Sequence, residues 1–187
     1  MYYHSVTPLK ALIEKHKMKI INVTKHDIHG GTLRLIIARE ESSLKPDITV
    51  EEYLKLETNY DLNYHIKWGE QIQTHIAASK YFIKELKSHN KTIYGFGAAA
   101  KGCIYLNTMG LTYNDIDYII DDTDIKQNKF VPGTGIQIIS RDILKDKQPD
   151  YILVLAHNFK DYIMSSLREF GYKGKFIILV PKIQTYE

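Results

Sequence analysis

Thr92-Ile93-Tyr94-Gly95-Phe96-Gly97-Ala98-Ala99-Ala100-Lys101-Gly102 begins as a short apolar strand, turns through two glycines and enters a run of small helix formers. That is the build of a phosphate-cradling turn. Gly95 is expected to take a backbone angle that other residues resist, and Gly97 to keep side-chain bulk away from a ligand. Ala100 would let the following helix pack closely on the strand, and that helix's free N–H groups would face an anion. A carboxylate follows at Asp121 or Asp122, about 20 residues on, where a dinucleotide fold holds a ribose. The stretch fits G-x-G-x-x-G/A, a pattern that serves either a ligand loop or a tight turn kept for packing.

Downstream of Asn90 the same alternation repeats. Strands are expected at 92–96, 116–120, 136–139, 151–156 and 175–180, with helices at 99–109, 140–147 (capped by Ser140) and 159–170, the last ending at Gly171. Apolar runs such as Ile152-Leu153-Val154-Leu155 suit strands buried on both faces. The fold class is therefore α/β, a Rossmann-like parallel sheet with helices on both faces. Ligands in such sheets sit beyond the carboxyl ends of the strands, which places residues 95–101, 121–123 and Ala156-His157-Asn158 there. The loop at 126–135 follows the strand that carries Asp121. Lys126 and Thr134 in it could grip a phosphate or sugar hydroxyls held against Gly97, or the loop could be a solvated, basic surface.

Upstream, Ser5 or Thr7 can cap a helix that Pro8 opens. Residues 18–23 and 32–38 read as an antiparallel hairpin, with His29-Gly30-Gly31 in its turn. A helix and a hairpin build little core, so this segment reads as the end of a larger sheet. Thr49 and Glu52 form a capping box for a second helix. A longer one runs over about 63–87 and is interrupted by Gly69. The expected organisation is a helix-plus-hairpin segment over 1–40, a helical linker over 41–90 and the Rossmann-like domain over 91–187.

The totals exclude several classes. At 187 residues with 44% hydrophobic content, the chain can hold one large or two small domains. It has no apolar run near ~18 residues, so no membrane span is expected. Met1-Tyr2-Tyr3-His4-Ser5 has neither the basic nor the apolar region of a secretory signal. Cys103 is the only cysteine, which excludes an internal disulfide and a cysteine-rich zinc site, and a reducing cytoplasm is the expected setting. His65, His75 and His89 have no i,i+4 zinc spacing, so no metal site is expected. A net charge of +3 with scattered lysines does not resemble a nucleic-acid binder.

Taken together, the segments resemble the C-terminal part of S-adenosylmethionine-dependent sugar C-methyltransferases. The run 94–102 is similar to that family's GYGAAAKG segment. Ile119-Ile120-Asp121-Asp122, Lys126-Gln127, Pro132-Gly133-Thr134, Pro149-Asp150-Tyr151 and Asn158-Phe159-Lys160-Asp161-Tyr162-Ile163 follow in the family's order. Ser5-Val6-Thr7-Pro8-Leu9 and Ile28-His29-Gly30-Gly31-Thr32-Leu33-Arg34 resemble the last helix and hairpin of its methyltransferase domain. Asn128, Gly135 and His157 depart from the residues frequent there.

The resemblance implies a nucleotide-linked deoxyketosugar as substrate and S-adenosylmethionine as cofactor. It also implies a zinc module and a cofactor loop upstream of this segment. The family's base, in a Tyr-x-Glu-His stretch, would fall before Met1. The chain alone is thus expected to be inactive, with the methyltransferase domain as its partner, and a homodimer is compatible with that reading. His29 is the candidate for direct contact with the reacting sugar. Gly95, Gly97, Ala98, Lys101, Asp121, Lys126, Thr134, His157 and Asn158 are the candidates for substrate or nucleotide binding. Two alternatives stand beside this: a stand-alone nucleotide-binding module taking NAD or a nucleotide sugar, and a purely structural or dimerising domain.

Overall fold

A computed structural model describes residues 4–28 and 31–187. Contacts divide the chain into two compact units, Met1–Glu70 and Gln71–Glu187.

The first unit holds α1 (Val6–Lys15), β1 (Met18–His26), β2 (Thr32–Arg39) and α2 (Ile48–Leu56). β1 and β2 form the expected antiparallel hairpin, with Met18 opposite Arg39, His26 opposite Thr32, and a bulge between Ile20 and Asn22. α1 and α2 cover one face of it, burying Val6, Ile20, Val23 and Val50, with Ile13, Leu33 and Leu35 packed around them.

Both helix starts differ from expectation. α1 begins two residues before Pro8, and the side chain of Ser5 at its N-cap makes no capping bond to the helix. No acid lies in its first turn, so the anion that its N-terminus favours comes from further along the chain. The Glu57 carboxylate accepts the N–H groups of Val6 at 2.6 Å and Thr7 at 2.7 Å. At α2 the Thr49–Glu52 box gives way to Asp47, which caps the N–H of Thr49 at 2.9 Å. Thr49 Oγ1 instead accepts the N–H of Val23 at 3.0 Å, and the Asp47 N–H donates to the Ile21 carbonyl at 2.9 Å. This turn seals the outer edge of β1. The other edge of β2 has no strand beside it among the described residues, and Ile36 and Ile37 are exposed on β2.

α3 (Leu62–Ser88) begins in the first unit and ends in the second. β3 (Ile93–Phe96), α4 (Ala100–Met109), β4 (Tyr118–Ile120), β5 (Ile138–Ile139), α5 (Ile143–Asp146), β6 (Tyr151–Val154), α6 (Lys160–Glu169), β7 (Lys175–Ile178) and β8 (Gln184–Tyr186) follow. The sheet order is β5-β4-β3-β6-β7-β8; the first five strands are parallel and β8 is antiparallel to β7. Side chains alternate between two cores, as the period-2 geometry of strands requires. Ile93, Ile119, Leu153 and Ile177 pack with Ile83 of α3 and with Leu106 and Met109 of α4. Tyr94, Ile120, Ile152 and Phe176 pack with Leu144 of α5 and with Ile163 and Leu167 of α6. The doubly wound, Rossmann-like architecture read from the sequence is the one observed.

The differences are local. The helix expected over 140–147 is a single turn, with the Ser140 hydroxyl accepting the Asp142 N–H at 3.2 Å. β8 is an addition whose Gln184-Thr185-Tyr186 lacks an apolar run. At the amino end of the sheet two carboxylates fix the entry of β3. Asp150 accepts the Thr92 N–H and Asp117 the Ile93 N–H, each at 2.8 Å.

Candidate functional site

β3 delivers the glycine turn to the carboxyl edge of the sheet, but the glycines exchange the roles expected of them. Gly97 is the one with the left-handed backbone, at φ +95°, and its N–H donates to the Ile120 carbonyl at 2.8 Å. A Cβ on Gly97 would lie 3.2 Å from Cβ of Ala156, so the turn touches the end of β6 at the point where strand order reverses. Gly95 sits inside β3, where a Cβ would run into Ile119 Cδ1. Close packing of α4 depends on Gly102 rather than Ala100. A Cβ on Gly102 would lie 2.9 Å from Leu155 Cβ and 3.3 Å from the Gly97 carbonyl oxygen.

Asp121, at the end of β4, is turned into this turn and is 7% exposed. Its Oδ2 accepts the Ala98 N–H at 2.8 Å and Lys126 Nζ at 3.1 Å, and its Oδ1 accepts the Thr123 N–H at 3.0 Å. Burial pushes the carboxyl up, but the hydrogen bonds from Thr123, Lys126 and Ala98 outweigh it and hold Asp121 below the ordinary carboxylate value. The anion expected at the turn is therefore supplied by the chain itself. Asp122, the other ribose candidate, forms a two-pronged ion pair with Arg141, whose Nε lies 2.6 Å from Oδ1. That guanidinium also donates to Ser166 Oγ at 3.1 Å and lies over the rings of Phe96 and Phe170.

Three candidates remain at the edge without an ion pair among the described residues. Lys101 is exposed in the first turn of α4. His157 is half-buried in the short turn His157–Phe159, and Asn158 beside it is exposed. Burial and then the charge of Lys101 hold the His157 imidazole below its ordinary value, against a hydrogen bond to the backbone of Leu155. Thr134 lies elsewhere. It is 3% exposed, its hydroxyl donates to the Val131 carbonyl at 3.1 Å and accepts the Ile136 N–H at 3.2 Å. Its loop is pinned by Asn107, which donates to the Pro132 carbonyl at 2.9 Å. Asn107 is two turns along α4, about 10 Å from its start. The structure thus brings Gly97, Ala98, Lys101, Asp121, Lys126, His157 and Asn158 to one edge and leaves Thr134 outside that set. His29 lies outside the described residues.

The sequence reading did not anticipate a cleft of about 430 Å³ in the first unit, lined by His4, Lys25, Thr32, Tyr53, Glu57 and Tyr60 among others. That volume falls in the range of small-molecule sites. It borders the hairpin turn through Gly31, but no motif marks it, because its lining comes from four separate elements.

A parallel sheet wound on both faces, with a glycine turn at its switch point, defines a Rossmann-like α/β domain. The model of the C-methyltransferase C-terminal domain matches residues 27–181, and the chain belongs to that family. It is also similar, at 29% identity over 184 residues, to "C-methyltransferase NovU" of Streptomyces niveus. That alignment covers 96% of this chain and 44% of the relative, so the chain spans less than half the length of the curated relative it matches. No helix among the described residues is long and apolar enough to cross a membrane.

Proposed function

We propose that this chain is the C-terminal part of an S-adenosylmethionine-dependent C-methyltransferase acting on a nucleotide-linked deoxyketosugar. The observation that carries the reading is the family match across residues 27–181. In the reaction, a base removes the proton beside the ketone. The electron pair of the resulting enolate attacks the sulfonium methyl, and the carbon–sulfur bond breaks with its pair left on sulfur as a neutral thioether. The reading assigns the base, the S-adenosylmethionine site and a zinc module to sequence outside these 187 residues. It assigns contact with the reacting sugar to His29, which lies outside the described residues, and the sugar-facing edge to the 430 Å³ cleft that Gly31 borders. The bare edge of β2, with Ile36 and Ile37 exposed on that strand, suits a strand of the methyltransferase domain as its neighbour.

Within the second unit, Gly97, Ala98, Asp121 and Lys126 hold the turn together, while Lys101, His157 and Asn158 are left to meet the diphosphate of the nucleotide sugar. A module that binds a nucleotide by itself is the second reading, favoured by the exposed Lys101 in the first turn of α4. One pair of assays separates the readings. Incubated with S-adenosylmethionine and a nucleotide ketosugar, the isolated chain should give no methylated product; turnover would overturn the division of labour. A nucleoside diphosphate should raise its melting temperature more than inorganic phosphate does. A response to neither assigns the parallel sheet a supporting role only.

A further inference from the structure

The cleft of the first unit has one aromatic ring held in place from behind. Tyr60 lines the cleft and is 44% exposed. Tyr64, in the first turn of α3, stacks on that ring with centres 4.8 Å apart and planes 20° apart, and the His65 imidazole meets both rings edge-on. The Tyr60 N–H donates to the Glu57 carbonyl at 3.0 Å, and the Glu57 carboxylate is itself bonded to the start of α1. Tyr64 closes part of the Tyr60 ring to any ligand, and what stays open borders the cleft. An aromatic face is the negative part of the ring's quadrupole. It attracts the C–H groups of a sugar, which the neighbouring oxygens leave slightly positive.

Charge is unequally spent around the same cleft. Its carboxylate, Glu57, is engaged by the N–H groups of Val6 at 2.6 Å and Thr7 at 2.7 Å. Its ammonium, Lys25 of β1, has no ion pair or side-chain hydrogen bond among the described residues. The Lys25 stem lies beside Gly31, with Cε 3.5 Å from the place of a Cβ. A free cation at a site that takes a ketone answers a need of the proposed reaction. As the proton beside the ketone is removed, the electron pair moves onto the ketone oxygen. A charged donor fixed at that oxygen stabilises the transition state more than the ground state. The ammonium keeps its proton throughout, and the carbonyl re-forms as the carbon takes the methyl group.

We infer that the ketosugar ring stacks on Tyr60 with its ketone oxygen against the Lys25 ammonium. Tyr60 is then the platform that orients the sugar, and Lys25 is the donor to the enolate. The inference rests on the reading of this chain as part of a sugar C-methyltransferase, and it gives two residues of the first unit separate tasks in that reaction.

Reductive trapping on the whole chain tests it without requiring methyl transfer. The protein is incubated at mildly alkaline pH with a thymidine diphosphate-linked deoxyketohexose and cyanoborohydride. An amine that meets the ketone adds to its carbon with loss of water, and hydride from the cyanoborohydride reduces the imine to a stable amine. Mass spectrometry then maps the labelled lysines. Lys25 is expected to be labelled roughly tenfold faster than Lys45 and Lys129, which are exposed and do not line the cleft. Tyr60→Ala should bring Lys25 down to their rate, whereas Tyr60→Phe, which keeps the ring, should preserve the preference; circular dichroism should show both variants folded alike. Labelling spread evenly over exposed lysines overturns the inference and leaves the family's reaction untouched. A Lys25 preference that survives Tyr60→Ala overturns it equally. Selective labelling in a chain that supports no methyl transfer would uphold the site and count against the enzyme reading alone.

Discussion

Any ligand phosphate at the glycine turn competes with Asp121 for the N–H of Ala98. The carboxylate is nearly buried and held by three donors, so the turn is stabilised by the anion it already has. Because its folded value lies below the ordinary 3.8, Asp121 contributes stability that is complete above that value and lost as pH falls through and below it. Asp121→Asn is expected to cost about 1–3 kcal/mol at neutral pH and to flatten the acid limb of the melting curve; thermal melts across the acid range check both. An acid limb identical in the two proteins would remove Asp121 from the account. The His157 value is lowered too, but there it is the neutral form that the fold favours. Its imidazole is expected to titrate below 6.5, and a diphosphate held between it and Lys101 should raise that value by favouring the charged form. Proton-detected titration with and without a nucleoside diphosphate reads the change, and no change returns this edge to a supporting role. Sequence reading placed Asp121, Lys126, Lys101 and His157 near the turn because strand ends are legible from apolar runs. It could not place Thr134, since a hydroxyl turned into its own loop has the same letter as one turned outward.

Capping shows the same limit one scale up. The start of α1 was read from Ser5, Thr7 and Pro8, all local to it, whereas the group that satisfies its first amides is Glu57, some fifty residues away. A long-range partner leaves no local pattern. Glu57→Ala is therefore expected to destabilise the first unit by about 1 kcal/mol, with hydrogen exchange at Val6 and Thr7 accelerated ahead of the rest of α1. At the other junction, Gly102→Ala must push α4 off Leu155 and the Gly97 carbonyl, at about 1–3 kcal/mol, whereas Ala100→Ser should be nearly neutral. Comparative melting of the two variants checks which small residue sets the helix–sheet distance. β8 escaped detection for a related reason: an edge strand half in solvent needs no apolar alternation.

Across the whole molecule, the parallel order, the two faces and the hairpin were legible because periodicity records burial, and burial fixes layers. The activity was not legible from geometry. Much of the glycine turn is occupied by the chain's own groups, and the cleft in the first unit is assembled from residues without a shared motif. What connects this fold to methyl transfer is membership in the C-methyltransferase C-terminal domain family. The most direct test is a chimera in which residues 1–187 replace the aligned stretch of the Streptomyces niveus relative, assayed for transfer of a labelled methyl group from S-adenosylmethionine to that relative's substrate. Retained transfer, lost again on deletion of the graft, is the predicted result. A chimera that folds and binds S-adenosylmethionine yet transfers no methyl group would contradict the account.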